Sequence, residues 1–220
     1  MVSQRGLVAE SAGLMKKIGD LKTISDYGNK QSIFAQGAAA DAMFHVDSGS
    51  VKMTVVSQGK KATIAILQRG EFFGEGCLAK GSLWASTATS LHRSTITRVR
   101  RETFNRLIRR DAAFSNLFVS YLVSRVGRME EDYADHVLNP SERRLARVLW
   151  SLTGHGTGAG PAHSLKISQG TLAEMIGTTR PRVSYFMNRF RKMGLINYNG
   201  SLTARPALHA FLLNGKRPAN

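Results

Sequence analysis

The stretch from residue 167 to residue 203, ISQGTLAEMIGTTRPRVSYFMNRFRKMGLINYNGSLT, decides how this chain is read. Ser168 is suited to cap a short helix that carries Leu172, Ala173 and Ile176 on one face. Gly177 can take the positive φ of a sharp turn, and Thr178 and Thr179 offer hydroxyl caps for a second helix. That helix is predicted from Arg180 onward, because Val183, Phe186, Met187 and Phe190 recur at i, i+3, i+4 and i+7. Pro181 falls in its first turn, where a missing N–H is harmless. The opposite face carries Ser184, Tyr185, Asn188, Arg189 and Lys192, with Arg180 and Arg182 leading.

Two helices joined by a short glycine-containing turn form a helix-turn-helix signature, and the second helix suits a major groove about 12 Å wide. Residues 195–198, Asn199-Gly200, and 202–203 then read as a β-hairpin with a type I′ turn, which predicts a winged helix-turn-helix. An ordinary αα-hairpin with arginines solvating its outside is the plainer alternative. The amide- and arginine-rich face, the wing and the charge favour double-stranded DNA as partner. The formal net charge is +16 over 220 residues, and it is uneven. Residues 137–220 hold twelve Lys/Arg against two Asp/Glu, a surplus of +10 against +6 for the first 136. Such a surplus fits phosphate neutralisation by one module.

Upstream the pattern changes. Residues 1–20 are weakly patterned, with Leu14, Met15 and Ile18 able to line one short helix. From 21 to 111, runs at 32–35, 42–46, 50–56, 61–67, 86–91 and 94–99 read as strands separated by turn signals, which predicts a sandwich or barrel. Residues 101–109 read as a short helix. A long helix follows over 112–138, where Phe114, Leu117, Phe118, Tyr121, Leu122, Val126, Met129 and Tyr133 recur every three or four residues. Its length, about 40 Å at 1.5 Å per residue, exceeds what a small barrel covers, so a partner helix is expected as well, packing against the barrel alone being the alternative. Asn139-Pro140-Ser141 should stop it, cap the next helix over 142–152 and supply a hinge into the last domain, 139–220. Leu145, Val148, Leu149 and Leu152 are that helix's expected core. Residues 154–160 read as a flexible connector and 164–167 as a strand.

The single cysteine, Cys77, excludes an internal disulfide and a four-cysteine cluster within one chain. No apolar run approaches about 18 residues and no h-region opens the chain, so a cytoplasmic protein with no membrane partner is expected. Cys77, His45, His92 or His136 could be proposed as haem ligands, but isolated histidines are more often hydrogen-bonded than ligating. The fingerprint-like Gly74–Ala79 run lacks a following long helix. No Ser/His/Asp or paired-carboxylate constellation stands out, so no enzyme, cofactor or metal is expected.

The order of barrel, long helix and winged helix-turn-helix resembles the Crp/Fnr family of bacterial transcription regulators. The resemblance runs from about residue 21 to 206. It rests on Phe34, Gly37, Phe44 and Gly49-Ser50-Val51-Lys52, on Gly70-Glu71-Phe72-Phe73-Gly74-Glu75, and on 172–176 with Gly177, Thr179, Arg180 and Val183. It implies an α+β chain with a cyclic-nucleotide-binding-like β-roll, a dimerising central helix, and two recognition helices about one DNA turn apart on a palindromic operator. It also implies contact with RNA polymerase. By the same resemblance Arg180 contacts guanine, Tyr185 reads a base, and Ser168, Gln169, Gly170, Thr179, Arg182, Asn188 and Arg189 lie at the DNA. Pro181 replaces a glutamate that often reads cytosine. The effector site implied is Gly74, Glu75, Gly76, Cys77, Ala85, Ser86, Met129 and Glu130. Ala85 stands where nucleotide-binding members hold the cyclic phosphate with arginine, and Met129-Glu130 replaces a Thr-Ser pair that meets adenine. Tight cAMP binding is therefore not expected, and Glu75 could equally be a structural carboxylate. A small-molecule sensor that acts through protein contacts, binding DNA only non-specifically, is the alternative.

Overall fold

The computed structural model describes residues 4–153, 166–198 and 201–214. The chain divides into two compact units within one helix, at Gly127/Arg128. The predicted hinge at 139–141 thus lies inside the second unit.

The first unit is a β-roll. Strands β1 (Thr23–Tyr27), β8 (Ser94–Arg100), β3 (Ala42–Ser48) and β6 (Phe72–Phe73) make one antiparallel sheet in that order. Strands β2 (Ser32–Phe34), β7 (Thr87–Ser90), β4 (Ser50–Ser57) and β5 (Lys60–Gln68) make the other. Six of the eight strands were legible. β1 was not, because TISDY is mostly exposed and lacks clean alternation, and β6 has only two residues. Between the sheets Phe34 stacks on Trp84 at 4.1 Å, and Phe44 stacks on Phe73 at 5.2 Å. Aromatic burial on this scale supplies much of the driving force for closing a roll.

Helix α1 (Gln4–Ile18) is longer than the short helix expected, and it buries Leu14 and Ile18. Helix α2 (Arg101–Arg110) sets Phe104 edge-on to Phe114 and Phe118 of α3 (Ala112–Leu138). The α3 boundaries are those predicted, and Asp111 caps the helix by accepting the Phe114 N–H at 2.9 Å. Phe114, Phe118 and Tyr121 are buried in the roll's core. The Tyr121 hydroxyl accepts from the Phe72 N–H at 2.8 Å and donates to its carbonyl at 3.2 Å.

The second unit contains α4 (Ser141–Leu152), α5 (Gln169–Ile176), α6 (Arg180–Lys192), the ribbon β9 (Ile196–Tyr198) and β10 (Leu202–Ala204), and α7 (Pro206–Asn214). Leu145, Leu149, Leu172, Ile176, Val183, Phe190, Leu195 and Leu208 are among its buried apolar residues. Val148, expected there, is only half-buried. The end of α3 joins this unit: Arg147 pairs with Asp135 at 3.0 Å, and Arg144 donates to the His136 carbonyl at 3.0 Å.

Several local expectations change. Pro140, not Ser141, is the N-cap of α4, and Ser141 lies buried inside the helix. Thr179 is the N-cap of α6 but makes no capping hydrogen bond through its hydroxyl. The wing pairs Tyr198 with Leu202, leaving three positions between them, one more than a type I′ turn needs. Facing residues share a sheet face, so this register brings Leu202 and Ala204 inward with Ile196, whereas a two-residue loop would set Thr203 against Ile196. Lys166 and Ile167 are not strand, and the remainder of that predicted strand and the 154–160 connector lie outside the described residues, as does the Asn199-Gly200 turn. Helix α7 was not foreseen: PALHAFLLN is too uniformly apolar to show a period.

Candidate nucleic-acid interface and effector site

Ser168 closes the start of α5 as expected, its hydroxyl oxygen accepting the Thr171 N–H at 3.0 Å. Gly177 ends the helix in the left-handed conformation, φ 60°, and the Thr178 N–H returns to the Ala173 carbonyl at 3.0 Å. A Cβ on Gly177 would also meet His136 Cε1 at 3.4 Å. The left-handed backbone of this turn, not crowding, is what favours glycine there.

Helix α6 buries Val183, Phe186, Met187 and Phe190 and presents the rest. Thr179, Arg180, Pro181, Arg182, Tyr185 and Asn188 are exposed, while Gln169 and Gly170 are half-exposed in the first turn of α5. Tyr185 is 62% exposed, and its ring meets Phe186 edge-on at 5.7 Å. The Arg182 guanidinium lies 5.9 Å from the Phe186 ring centre, which steadies it without neutralising it. Neither Arg180 nor Arg182 forms an ion pair among the described residues. With Thr179's hydroxyl not engaged in capping, the first N–H groups of α6 stay open at the helix's positive end, beside these two cations. The head of α6 is thus an exposed, positively charged surface.

Arg189 is placed differently from its expectation. Its Nη1 lies 2.9 Å from Glu142 Oε1 and 3.2 Å from Oε2, both groups partly buried, so it ties α6 to α4. Arg191, on the exposed side beside Lys192, was overlooked, although its i+3 spacing from Asn188 marks that face.

In the roll, Gly74 turns left-handed at φ 86° into a single 3₁₀ turn, Glu75–Leu78. A Cβ there would come within 3.0 Å of the Ala42 carbonyl oxygen, so the approach of this turn to β3 depends on glycine. Arg125 of α3, only 16% exposed, holds Glu75 through two contacts of 3.1 Å and donates to the Phe72 carbonyl at 2.7 Å. Sequence reading missed Arg125, yet its i+4 spacing from the buried Tyr121 puts it on the inward face. Cys77 is fully buried, and burial pushes its thiol up to about 12, which makes it inert as a thiolate. Ala85 and Gly76 are exposed and Ser86 is buried. Met129 and Glu130 fall in the second compact unit, both exposed.

One constellation escaped the sequence reading. Ser11 Oγ lies 3.1 Å from His45 Nε2, and His45 Nδ1 lies 2.7 Å from Asp47 Oδ1, whose other oxygen accepts from Thr97 Oγ1 at 2.6 Å. The order is that of a hydrolytic triad, but Ser11 is fully buried, leaving its hydroxyl no access to substrate. It is a clasp between α1 and β3. Burial lowers the His45 pKa even though Asp47 pulls it up, and Lys22 and Arg69 add to the lowering.

A β-roll and a helix-turn-helix unit on one chain define the architecture of a transcription regulator. Comparison with known proteins agrees: the cyclic nucleotide-binding domain family matches residues 25–111, and the Crp-like helix-turn-helix domain matches residues 143–211. The chain belongs to the Crp/Fnr family of transcriptional regulators. It is 26% identical over 183 residues to the cyclic AMP receptor protein of Thermus thermophilus, covering 82% of this chain and 83% of that one. It is 24% identical over 179 residues to the CRP-like cAMP-activated global transcriptional regulator of Mycobacterium tuberculosis, covering 80% of each. Among solved structures, FixK2 from Bradyrhizobium japonicum superposes with a TM-score of 0.73 at 17% identity, covering 86% of this chain and 96% of that one. TTHB099 from Thermus thermophilus gives 0.71 at 19%, covering 86% and 97%. At those identities the structural likeness concerns the fold. No helix among the described residues is long and apolar enough to cross a membrane.

Proposed function

We propose that the protein acts as a homodimer on palindromic DNA, with α6 of each copy entering successive major grooves. The observation that carries this reading is that Arg180 and Arg182 stand exposed, without an ion pair among the described residues, at the head of a helix whose other face is buried. Arg180 reads guanine through its two-pronged guanidinium, and Tyr185 covers a neighbouring base. Ser168, Gln169, Gly170, Thr179, Arg182 and Asn188 approach phosphates, Gly170 through its backbone. Arg189 is better used as the strut to Glu142. Pairing along α3 sets the spacing between recognition helices, and RNA polymerase is the downstream partner in the cytoplasm.

The roll transmits an effector signal other than cAMP. Support comes from Ala85, which leaves a cyclic phosphate without its usual cation, and from Arg125, which already neutralises Glu75. Losing the charge partner of a buried phosphate costs several kcal/mol. The Thermus and Mycobacterium relatives are named for cAMP, so the direct test is calorimetry of the full chain against cAMP and cGMP. Sub-micromolar binding of either nucleotide refutes the Ala85 argument, and of cAMP the effector reading itself. Gel-shift titration of a palindromic against a scrambled duplex tests the DNA reading, and equal affinities would favour non-specific binding instead.

A further inference from the structure

Helix α1 is tied to the rest of the first unit at three polar points. Lys17 meets Asp111 at 2.7 Å, Ser120 of α3 donates to Glu10 at 2.5 Å, and Ser11 meets His45 of β3 at 3.1 Å. The first two contacts are exposed and the third is buried. Ser11 is fully buried and His45 is 8% exposed, while Leu14 and Ile18 of the same helix lie in the core.

The hydrogen bonds through His45 run in one direction. Asp47 Oδ1 lies 2.7 Å from Nδ1 and, as a carboxylate, only accepts, so the neutral ring carries its hydrogen on Nδ1. Nε2 is then a lone pair, and the Ser11 hydroxyl donates to it. Thr97 completes the chain by donating to Asp47 Oδ2 at 2.6 Å. A second proton on the ring would sit on Nε2 and point at Ser11, forcing that hydroxyl's hydrogen to turn away.

The surroundings oppose that proton. Strand register sets His45 between Phe72 of β6 and Thr97 of β8, with the Phe72 ring centre 4.8 Å away. Burial disfavours the cation most, Asp47 favours it, and Lys22 (between α1 and β1) and Arg69 (between β5 and β6) disfavour it further. Other charged groups on these elements are engaged elsewhere: Glu10 with Ser120, Lys17 with Asp111, Arg98 with Asp41, and Glu71 with the Gln68 N–H. Lifting α1 would remove Ser11 and admit water to the ring, so opening and proton uptake favour each other.

We propose that α1 is an acid-released strap on the roll, latched by neutral His45 through Ser11 and let go when His45 takes a proton. The strap lies against α3, where a Cβ on Gly13 would come within 3.3 Å of Leu117. Its release bares Leu14 and Ile18 and removes the Glu10 contact from Ser120. The two sheets are complete without it. With α1 lifted the ring titrates near 6.5, and with α1 seated it titrates lower. Opening is therefore insensitive to this group above 6.5 and grows as pH falls below it, by at most about tenfold per pH unit for one proton, until the lower value is passed.

Hydrogen exchange of the full chain from about pH 8 to about pH 5, corrected for the intrinsic pH dependence of amide exchange, tests this. Wild-type protection over residues 11–18 should hold at the alkaline end and fall by about threefold or more at the acid end, while β3 and β8 keep theirs. In His45→Gln the fall should be absent. Ser11→Ala, which keeps the imidazole, should loosen residues 11–18 at neutral pH by about threefold or more. It should also move the ring titration of His45, followed by NMR, toward the ordinary value. An equal acid response in wild type and His45→Gln, or joint loss of α1 with β3 and β8, would overturn the strap. So would Ser11→Ala protection matching wild type at every pH. Should His45→Gln fail to fold, the wild-type ring decides with Ser11→Ala: titration at or above 6.5 overturns the proposal.

Discussion

The two units use arginine in opposite ways. At the head of α6, Arg180 and Arg182 project outward and find no carboxylate among the described residues. In the roll, Arg125 is turned inward and spends its charge on Glu75 and the Phe72 carbonyl. The first arrangement leaves charge for a partner, and the second consumes it inside the protomer. Arg189 shows the rule within α6 itself, because its ion pair with Glu142 withdraws it from the face that its neighbours share. Exposure together with lack of a partner, not residue type, separates interface cations from structural ones.

Several changes would sharpen or break that contrast. The largest effect is expected from placing a charge among the exposed apolar residues of α3: Val126→Asp should weaken dimerisation by more than about 100-fold, measured by sedimentation, and specific DNA binding should fall with it. Next, Arg180→Ala should lose about 10- to 100-fold of discrimination between the preferred operator and one altered at guanine, measured by gel shift. Arg189→Ala should act instead through stability, lowering the second unit's melting temperature while leaving the preferred sequence unchanged, since its partner is Glu142. A guanine-specific loss in Arg189→Ala would erase the distinction between strut and reader.

Within the roll the effects are smaller. Arg125→Met strands the partly exposed Glu75 carboxylate and should cost about 1 kcal/mol of stability, read by chemical denaturation. The His45 clasp adds a pH signature. Its folded pKa lies below the ordinary 6.5, so the folded state resists protonation. Its contribution is present above 6.5 and declines as pH falls from there toward the lowered value. Melting curves of wild type and His45→Gln at a series of pH values should therefore converge on acidification. Parallel curves would show that His45 does not titrate in this window.

Much of the second unit was legible because its rules are local. Ser168, Gly177 and the four-residue stripe of α6 each obey a short-range constraint, and α6 begins at the residue expected for it. The long helix was legible for the same reason, with its buried aromatics and exposed valines recurring on separate faces of one period. The features that escaped depend on contacts distant in sequence. Ser11, His45 and Thr97 meet only when α1, β3 and β8 are assembled, and a bulge in the β3–β8 pairing between Val46 and Ser48 occurs where Asp47 joins them. The Arg125–Glu75 pair joins positions fifty residues apart. The wing's two strands were legible too, while its Asn199-Gly200 turn lies outside the described residues.

The most direct test of the central claim is selection of preferred sites from random duplex DNA by the full-length chain. The account predicts a palindrome whose half-sites are centred about one helical turn, roughly 10 base pairs, apart. Each half-site should carry a guanine whose enrichment disappears in Arg180→Ala. Recovery of unenriched sequence, or of a single asymmetric site indifferent to Arg180, would contradict it.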